Sequence, residues 1–163
     1  MCIHNNCRSQ MAEGFFNDFY GENYDVYSAG SDPREIDFMS VQIMDEIGID
    51  ISMQTSNSLK DYNGQEFDYV ITLCGNPYKA CPFFIGGKKY FKKAFTDITK
   101  FKGTEKEKIE FLRDIRDEIG DWVQDLFNYQ ICGSDVKISQ EQVCCDLDGD
   151  DCCPTYKKES SCR

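Results

Sequence analysis

Eight residues constrain the fold of this chain more than any others: "FDYVITLC" (67–74). Such a continuous apolar run reads as a strand buried on both faces, the kind found inside a parallel sheet. Parallel neighbours need long crossovers, usually helices, and the sequence supplies them. After Ser9, Met11, Phe15, Phe16 and Phe19 recur at helical spacing until Gly21. Ile36, Met39, Ile43 and Ile47 mark a second helix, with Gly48 placed to stop it. "YDVYSAG" (24–30) alternates as a short strand ending in a turn, and "YFKKAF" (90–95) fits a further strand. In "TEKEKIEFLRDIRDEIGDWVQDLF" (104–127), Thr104 and Glu107 form a capping box. Ile109, Leu112, Ile115, Ile119, Trp122 and Leu126 make one apolar stripe there. Lys108, Arg113 and Arg116 read as a solvated face of that helix. Strands and helices alternate, so the class is α/β with a parallel sheet.

The 163 residues suffice for one domain with a sizeable core. No apolar run reaches the roughly 20 residues of a membrane helix, and no signal-peptide layout opens the chain, so a cytoplasmic protein is expected. A formal net charge of −11 disfavours nucleic acid and anionic membranes as partners. An anion must then be caught locally, by amides and a placed arginine. The chain holds 10 cysteines. In a reducing compartment they point to redox chemistry or metal binding more than to a disulfide framework. Cys2, Cys7, Cys74 and Cys81 stand apart from Cys132, Cys144, Cys145, Cys152, Cys153 and Cys162. Periodicity ends near Tyr129, so 1–128 reads as the domain and 129–163 as a cysteine-rich tail, mobile unless something ligates it. "DLDGDD" (146–151) lacks the later glutamate of a calcium loop, which rejects calcium.

The opening "MCIHNNCRSQMAE" carries the chemistry. A loop over Ile3, His4, Asn5, Asn6 and Cys7, feeding a helix near Ser9, would aim its amides and the helix N-terminus at one spot, an anion cradle. Arg8 would add a bidentate, permanently charged clamp. That setting would lower the pKa of Cys2 from about 8.5 and make it a nucleophilic thiolate, with Ser9 as a hydrogen-bonding neighbour. Cysteine, five residues, arginine and serine thus suit attack on a tetrahedral oxyanion. Cys7 reads as a buried filler, and His4 as a loop position that contributes a backbone amide.

"CIHNNCRSQMAEG", "YSAG", "MDEIGIDIS" and "VITLC" together resemble the thioredoxin-coupled arsenate reductases, relatives of the low-molecular-weight protein tyrosine phosphatases. The resemblance runs from residue 1 to about Phe127. "TLCGNPYKACP" (72–82) supplies the two further redox cysteines, seven apart, as Cys74 and Cys81. The resemblance implies a three-layer sandwich around a central parallel four-stranded sheet. A strand ordinarily leads into the loop, where this sequence has only Met1. The first strand is therefore missing, which would leave a slot in the sheet, unpaired backbone on both neighbours and poor folding. The expectation is that the natural start lies upstream.

The resemblance also implies a function: arsenate reduction by a relay in which Cys2 attacks, Cys74 and Cys81 take over the oxidation, and thioredoxin regenerates the pair. Asp97 in "AFTDITK" matches the family's general acid, although Ile98 stands where proline usually follows. No metal is required. Potassium sits near the loop in some relatives, and Asn5, Glu13 and Ser28 match three ligand positions, with Asn57 in place of an acid at the fourth. A monomer is expected. Two other readings stay open. One is a phosphatase using Cys2, Arg8 and Asp97 alone. The other is a non-enzymatic, thiol-rich protein whose tail binds arsenite or a soft metal.

Overall fold

The computed structural model describes residues 1–75, 82–98 and 101–131, with side chains as far as 127. Cys81 and residues 132–163 of the expected tail, with all six of its cysteines, lie outside the described residues, whereas 129–131 continue the last helix. Along the chain come α1 (Arg8–Tyr20), α2 (Phe38–Asp45), a single 3-10 turn (Leu59–Tyr62), β1 (Phe67–Cys74), β2 (Gly87–Ala94) and α3 (Glu105–Ile131). β1 and β2 pair in parallel, with Val70 opposite Tyr90 and Thr72 opposite Lys92. Two isolated parallel bridges, Cys2 to Gly30 and Gly30 to Ser58, extend the same sheet direction beyond β1. The α/β reading with a parallel sheet therefore holds, with two full strands among the described residues.

"YDVYSAG" departs from its expected strand. Residues 24–29 run extended but join the sheet at Gly30 alone. A strand is defined by its neighbours' hydrogen bonds, and among the described residues no backbone hydrogen bond reaches Asp25, Val26 or Tyr27.

The core lies between β1 and the helices. Met11, Ile43, Met44, Ile51, Leu73, Leu112, Ile119 and Val123 are all fully buried there. Gly48 takes a φ of +82° and ends the turn after α2, as its position in the sequence predicts. The capping box at the start of α3 forms: the Thr104 N–H donates to Glu107 Oε2 at 2.7 Å, and the Glu107 N–H donates to Thr104 Oγ1 at 3.3 Å. The apolar stripe of α3 is rotated from the expected one. Val123 and Phe127 sit at its centre, while Trp122 and Leu126 are half-buried at its flank.

The solvated reading of the α3 arginines fails at Arg116, which is 7% exposed. Its Nη1 donates to the Ile43 carbonyl at 2.8 Å, and Arg113 clamps Glu46 through Nε and Nη2 at 2.8 and 2.7 Å. Carbonyls at a helix C-terminus lack intrahelical partners, so the Arg116 guanidinium supplies one for Ile43, while Arg113 holds the Glu46 carboxylate just past the end of α2.

Candidate active site

Residues 2–7 carry the chain from the sheet into α1. The Cys2 N–H donates to the Ala29 carbonyl at 3.1 Å, which fixes the loop's start in the sheet. The chain then turns sharply. Asn5 takes a φ of +48°, a left-handed conformation that asparagine tolerates better than most residues. This turn brings the Asn5 N–H to 3.1 Å from Cys2 Sγ, and Ser9 Oγ lies 3.0 Å from the same sulfur. The Asn5 side chain holds the conformation: Nδ2 donates to Ser9 Oγ at 2.9 Å and to Ser28 Oγ at 2.8 Å, and Oδ1 accepts from the Asn57 N–H at 2.8 Å. Gln10 Nε2 braces the Asn5 carbonyl at 2.9 Å.

The loop carbonyls are tied outward. Asp32, Arg34 and Asp37 donate their N–H groups to the carbonyls of Ile3, His4 and Asn6, each at 2.9 Å. A loop held this way offers its amides to the opposite side, where Cys2 and the N-terminus of α1 lie. The His4 ring points away from that role, with Nδ1 3.2 Å from Asp32 Oδ2. The backbone contribution read for His4 is the one its position allows.

Arg8 opens α1 and reaches across to the end of β2, where Nη1 donates to the Phe95 carbonyl at 3.4 Å. Gly75 follows β1 directly and sits between Arg8 and Asp97. A Cβ on Gly75 would lie 2.8 Å from Arg8 Nη1 and 2.9 Å from the Asp97 Cβ. Arg8, Asp97 and the end of β1 therefore meet at one place. That place is the carboxyl end of the parallel strands, where open α/β sheets bind ligands.

The three described cysteines differ. Cys2 is buried and carries a free thiol, as does Cys7. Cys74 is buried and disulfide-bonded, so neither of those two is its partner. Burial pushes the Cys7 thiol up to about 12, against the lowering effects of the Ser40 hydrogen bond and Arg8. Ser40 Oγ donates to Cys7 Sγ at 2.9 Å. Such a thiol is no nucleophile near neutral pH, in keeping with its reading as filler.

Asn5, Glu13, Ser28 and Asn57 also converge. Asn57 Nδ2 donates to the Ser28 carbonyl at 3.3 Å, and Glu13 Oε2 is buried without a hydrogen-bond partner. Burial raises the Glu13 pKa, while the Ser28 hydrogen bond and the Met1 ammonium oppose the rise. One orphaned carboxylate oxygen beside neutral oxygens is a donor set that suits a hard monovalent cation.

Sequence reasoning missed the external braces at Asp32, Asp37 and Ser40, and it read Gly75 as a pivot between Cys74 and Cys81 without the close approach of Arg8 and Asp97. The Asp37-to-Ser40 spacing is a helix-cap signal, and Asp37 Oδ2 does accept the Ser40 N–H at 3.0 Å. A glycine set directly after a buried strand was the available sign of a close approach.

The pattern of the Low molecular weight phosphotyrosine protein phosphatase family matches residues 1–130. An arsenate reductase of Halalkalibacterium halodurans is 43% identical over 120 residues, covering 74% of this chain and 86% of that protein. One from Bacillus subtilis is 41% identical with the same coverage. Among solved structures, an arsenate reductase in a phosphate-binding state superposes with a TM-score of 0.63 at 29% identity, over 78% of this chain and 92% of that one. A thioredoxin-dependent arsenate reductase of Corynebacterium glutamicum gives 0.60 at 28% identity, over 81% of this chain and 60% of that one. With its loop, its parallel sheet and the matching pattern in agreement, the chain belongs to the low-molecular-weight phosphotyrosine protein phosphatase family.

Proposed function

We propose that the protein reduces arsenate to arsenite by a relay of three cysteines, Cys2, Cys74 and Cys81, and that thioredoxin resets it. One arrangement carries the reading: a free Cys2 sulfur inside an amide loop, with Arg8 and Asp97 closing on Gly75 beside a disulfide-bonded Cys74. The arsenate reductases similar to this chain support the substrate.

The loop amides and Arg8 hold the arsenate oxygens, and the Cys2 thiolate attacks arsenic. Asp97 gives a proton to the departing oxygen, which leaves as water, and a Cys2–arsenic bond remains. The Cys74 thiolate then attacks Cys2 Sγ. The sulfur–arsenic bond breaks, its electron pair stays on arsenic, and As(V) departs as As(III) arsenite. The Cys2–Cys74 disulfide passes to Cys74–Cys81 when the Cys81 thiolate attacks Cys74 Sγ, which frees Cys2. A dithiol such as thioredoxin returns the two electrons by exchange.

Potassium, if held, would rest on Glu13 Oε2 with Ser28 and Asn5, and would add positive charge behind the loop. We place the reaction in the cytoplasm, with the chain acting as a monomer. No helix among the described residues is long and apolar enough to cross a membrane.

The second reading, a phosphatase, is favoured by the family pattern itself and needs Cys2, Arg8 and Asp97 only. A Cys74→Ser variant separates the two in an assay of arsenate-dependent NADPH oxidation with thioredoxin and its reductase. Multiple turnover is expected to vanish, while hydrolysis of a phosphomonoester persists at the wild-type rate. Sustained arsenate turnover by that variant would rule out the relay.

A further inference from the structure

The carbonyls of the opening loop are all tied, but not by the same kind of donor. Backbone N–H groups of Asp32, Arg34 and Asp37 hold those of Ile3, His4 and Asn6. Among the described residues, no backbone N–H reaches the Asn5 carbonyl. It accepts instead from a side chain, Gln10 Nε2, at 2.9 Å. A backbone tie survives a change of side chain, whereas this one depends on a single amide.

Gln10 is fully buried in the first turn of α1. Besides the Asn5 carbonyl, its Nε2 faces the Thr55 carbonyl at 3.1 Å and Ser28 Oγ at 3.3 Å. An amide nitrogen carries only two hydrogens, so the two carbonyls take the shorter contacts and the hydroxyl the longest. The other end of the amide is held as well. With its nitrogen turned toward α1, the Gln54 amide donates to Gln10 Oε1 at 2.6 Å and to the Gln10 carbonyl at 3.0 Å, and its oxygen accepts from the Gly14 N–H at 3.2 Å. That orientation satisfies both amides, which leaves Gln10 no freedom to flip.

A trans peptide sets its carbonyl and the next N–H on opposite sides. The rule is visible one residue earlier. The His4 carbonyl is tied to the Arg34 N–H, and the Asn5 N–H of the same peptide lies 3.1 Å from Cys2 Sγ. The left-handed φ of +48° at Asn5 is the kind of turn that lets successive N–H groups converge on one concavity. Drawing the Asn5 carbonyl onto Gln10 therefore aims the Asn6 N–H toward the Cys2 side. We propose that Gln10 is a positioning residue for oxyanion binding, which fixes the Asn5–Asn6 peptide so that the Asn6 N–H joins the cradle. The proposal rests on the oxyanion-binding reading of the loop and adds the residue that sets one of its donors.

The test compares the full chain with Gln10→Met, which keeps the length of the side chain and removes its donor. Amide resonances of isotope-labelled, reduced protein are followed as sodium sulfate is added. In the wild type the His4, Asn5, Asn6 and Cys7 amides are expected to shift saturably. In Gln10→Met the Asn6 shift should be lost while those of His4 and Asn5 persist. The KM for arsenate should rise about fivefold with kcat within about twofold, because a donor that holds the ion alike before and during reaction acts on KM. Gln54→Ala touches no loop group and should move both readouts the same way by about twofold in KM, which keeps the test open if Gln10→Met does not fold. A full Asn6 shift with unchanged KM in a folded variant overturns the proposal alone, even where the melting temperature falls. No response at any loop amide of the wild type overturns the oxyanion reading and the proposal together.

Discussion

Cys2 and Cys7 share one loop and have opposite fates. Cys2 Sγ receives an amide N–H and lies against the Ser9 hydroxyl, while Cys7 is sunk against Ser40 with its pKa pushed up to about 12. Below that value Cys7 stays a neutral thiol. Iodoacetamide at pH 7.5 should therefore label Cys2 of the reduced protein and spare Cys7, as peptide mass mapping would read. Cys2→Ser should abolish arsenate turnover. Cys7→Ala should keep it within roughly fivefold, about 1 kcal/mol of barrier. Gly75 is a sharper test of geometry. A methyl group there must displace Arg8 or Asp97, so Gly75→Ala should lower kcat/KM by about tenfold or more with the melting temperature little changed, because misplacing a catalytic group is costly.

The elements were legible where periodicity is strong and local. α1, the β1 run and the capped start of α3 fall close to where the sequence puts them. α2 is shorter than its apolar spacing implies, because Asp37 caps it late and Gly48 turns the chain after it. Arg116 defeated the pattern because a guanidinium can be buried when it has carbonyl and carboxylate partners, which a one-dimensional stripe does not reveal. Its neighbour pair yields a prediction. Hydrogen bonds from Arg113 hold the Glu46 carboxyl below its ordinary pKa. Since the folded value lies below the unfolded one, the stabilisation is fully present above about pH 4.5 and is lost as pH falls through the folded value. The melting temperature of Glu46→Gln should be lower than wild type at pH 7, and the gap should shrink progressively as pH falls below about 4.5. A gap that stays constant as the pH is lowered through the acid range would show that the pair contributes through packing alone.

Taken whole, the molecule places the loop, Arg8 and Asp97 at the carboxyl end of a parallel sheet, in a chain of net charge −11. The loop residues could be picked out in the sequence because five-residue spacing between Cys2 and Arg8 is a local signal. The meeting of Arg8 with Gly75 and Asp97 spans almost ninety residues and emerges only from strand order. Cys74 and Cys81 stand at the centre of the account, and one single-turnover experiment reaches them most directly. Fully reduced protein is mixed with one equivalent of arsenate, quenched in acid with an alkylating agent, and analysed for arsenite and for disulfide-linked peptides. The relay predicts one arsenite per chain, Cys2 recovered as a free thiol, and Cys74 joined to Cys81. Arsenite formed with Cys74 and Cys81 both alkylated, or no arsenite at all, would contradict it.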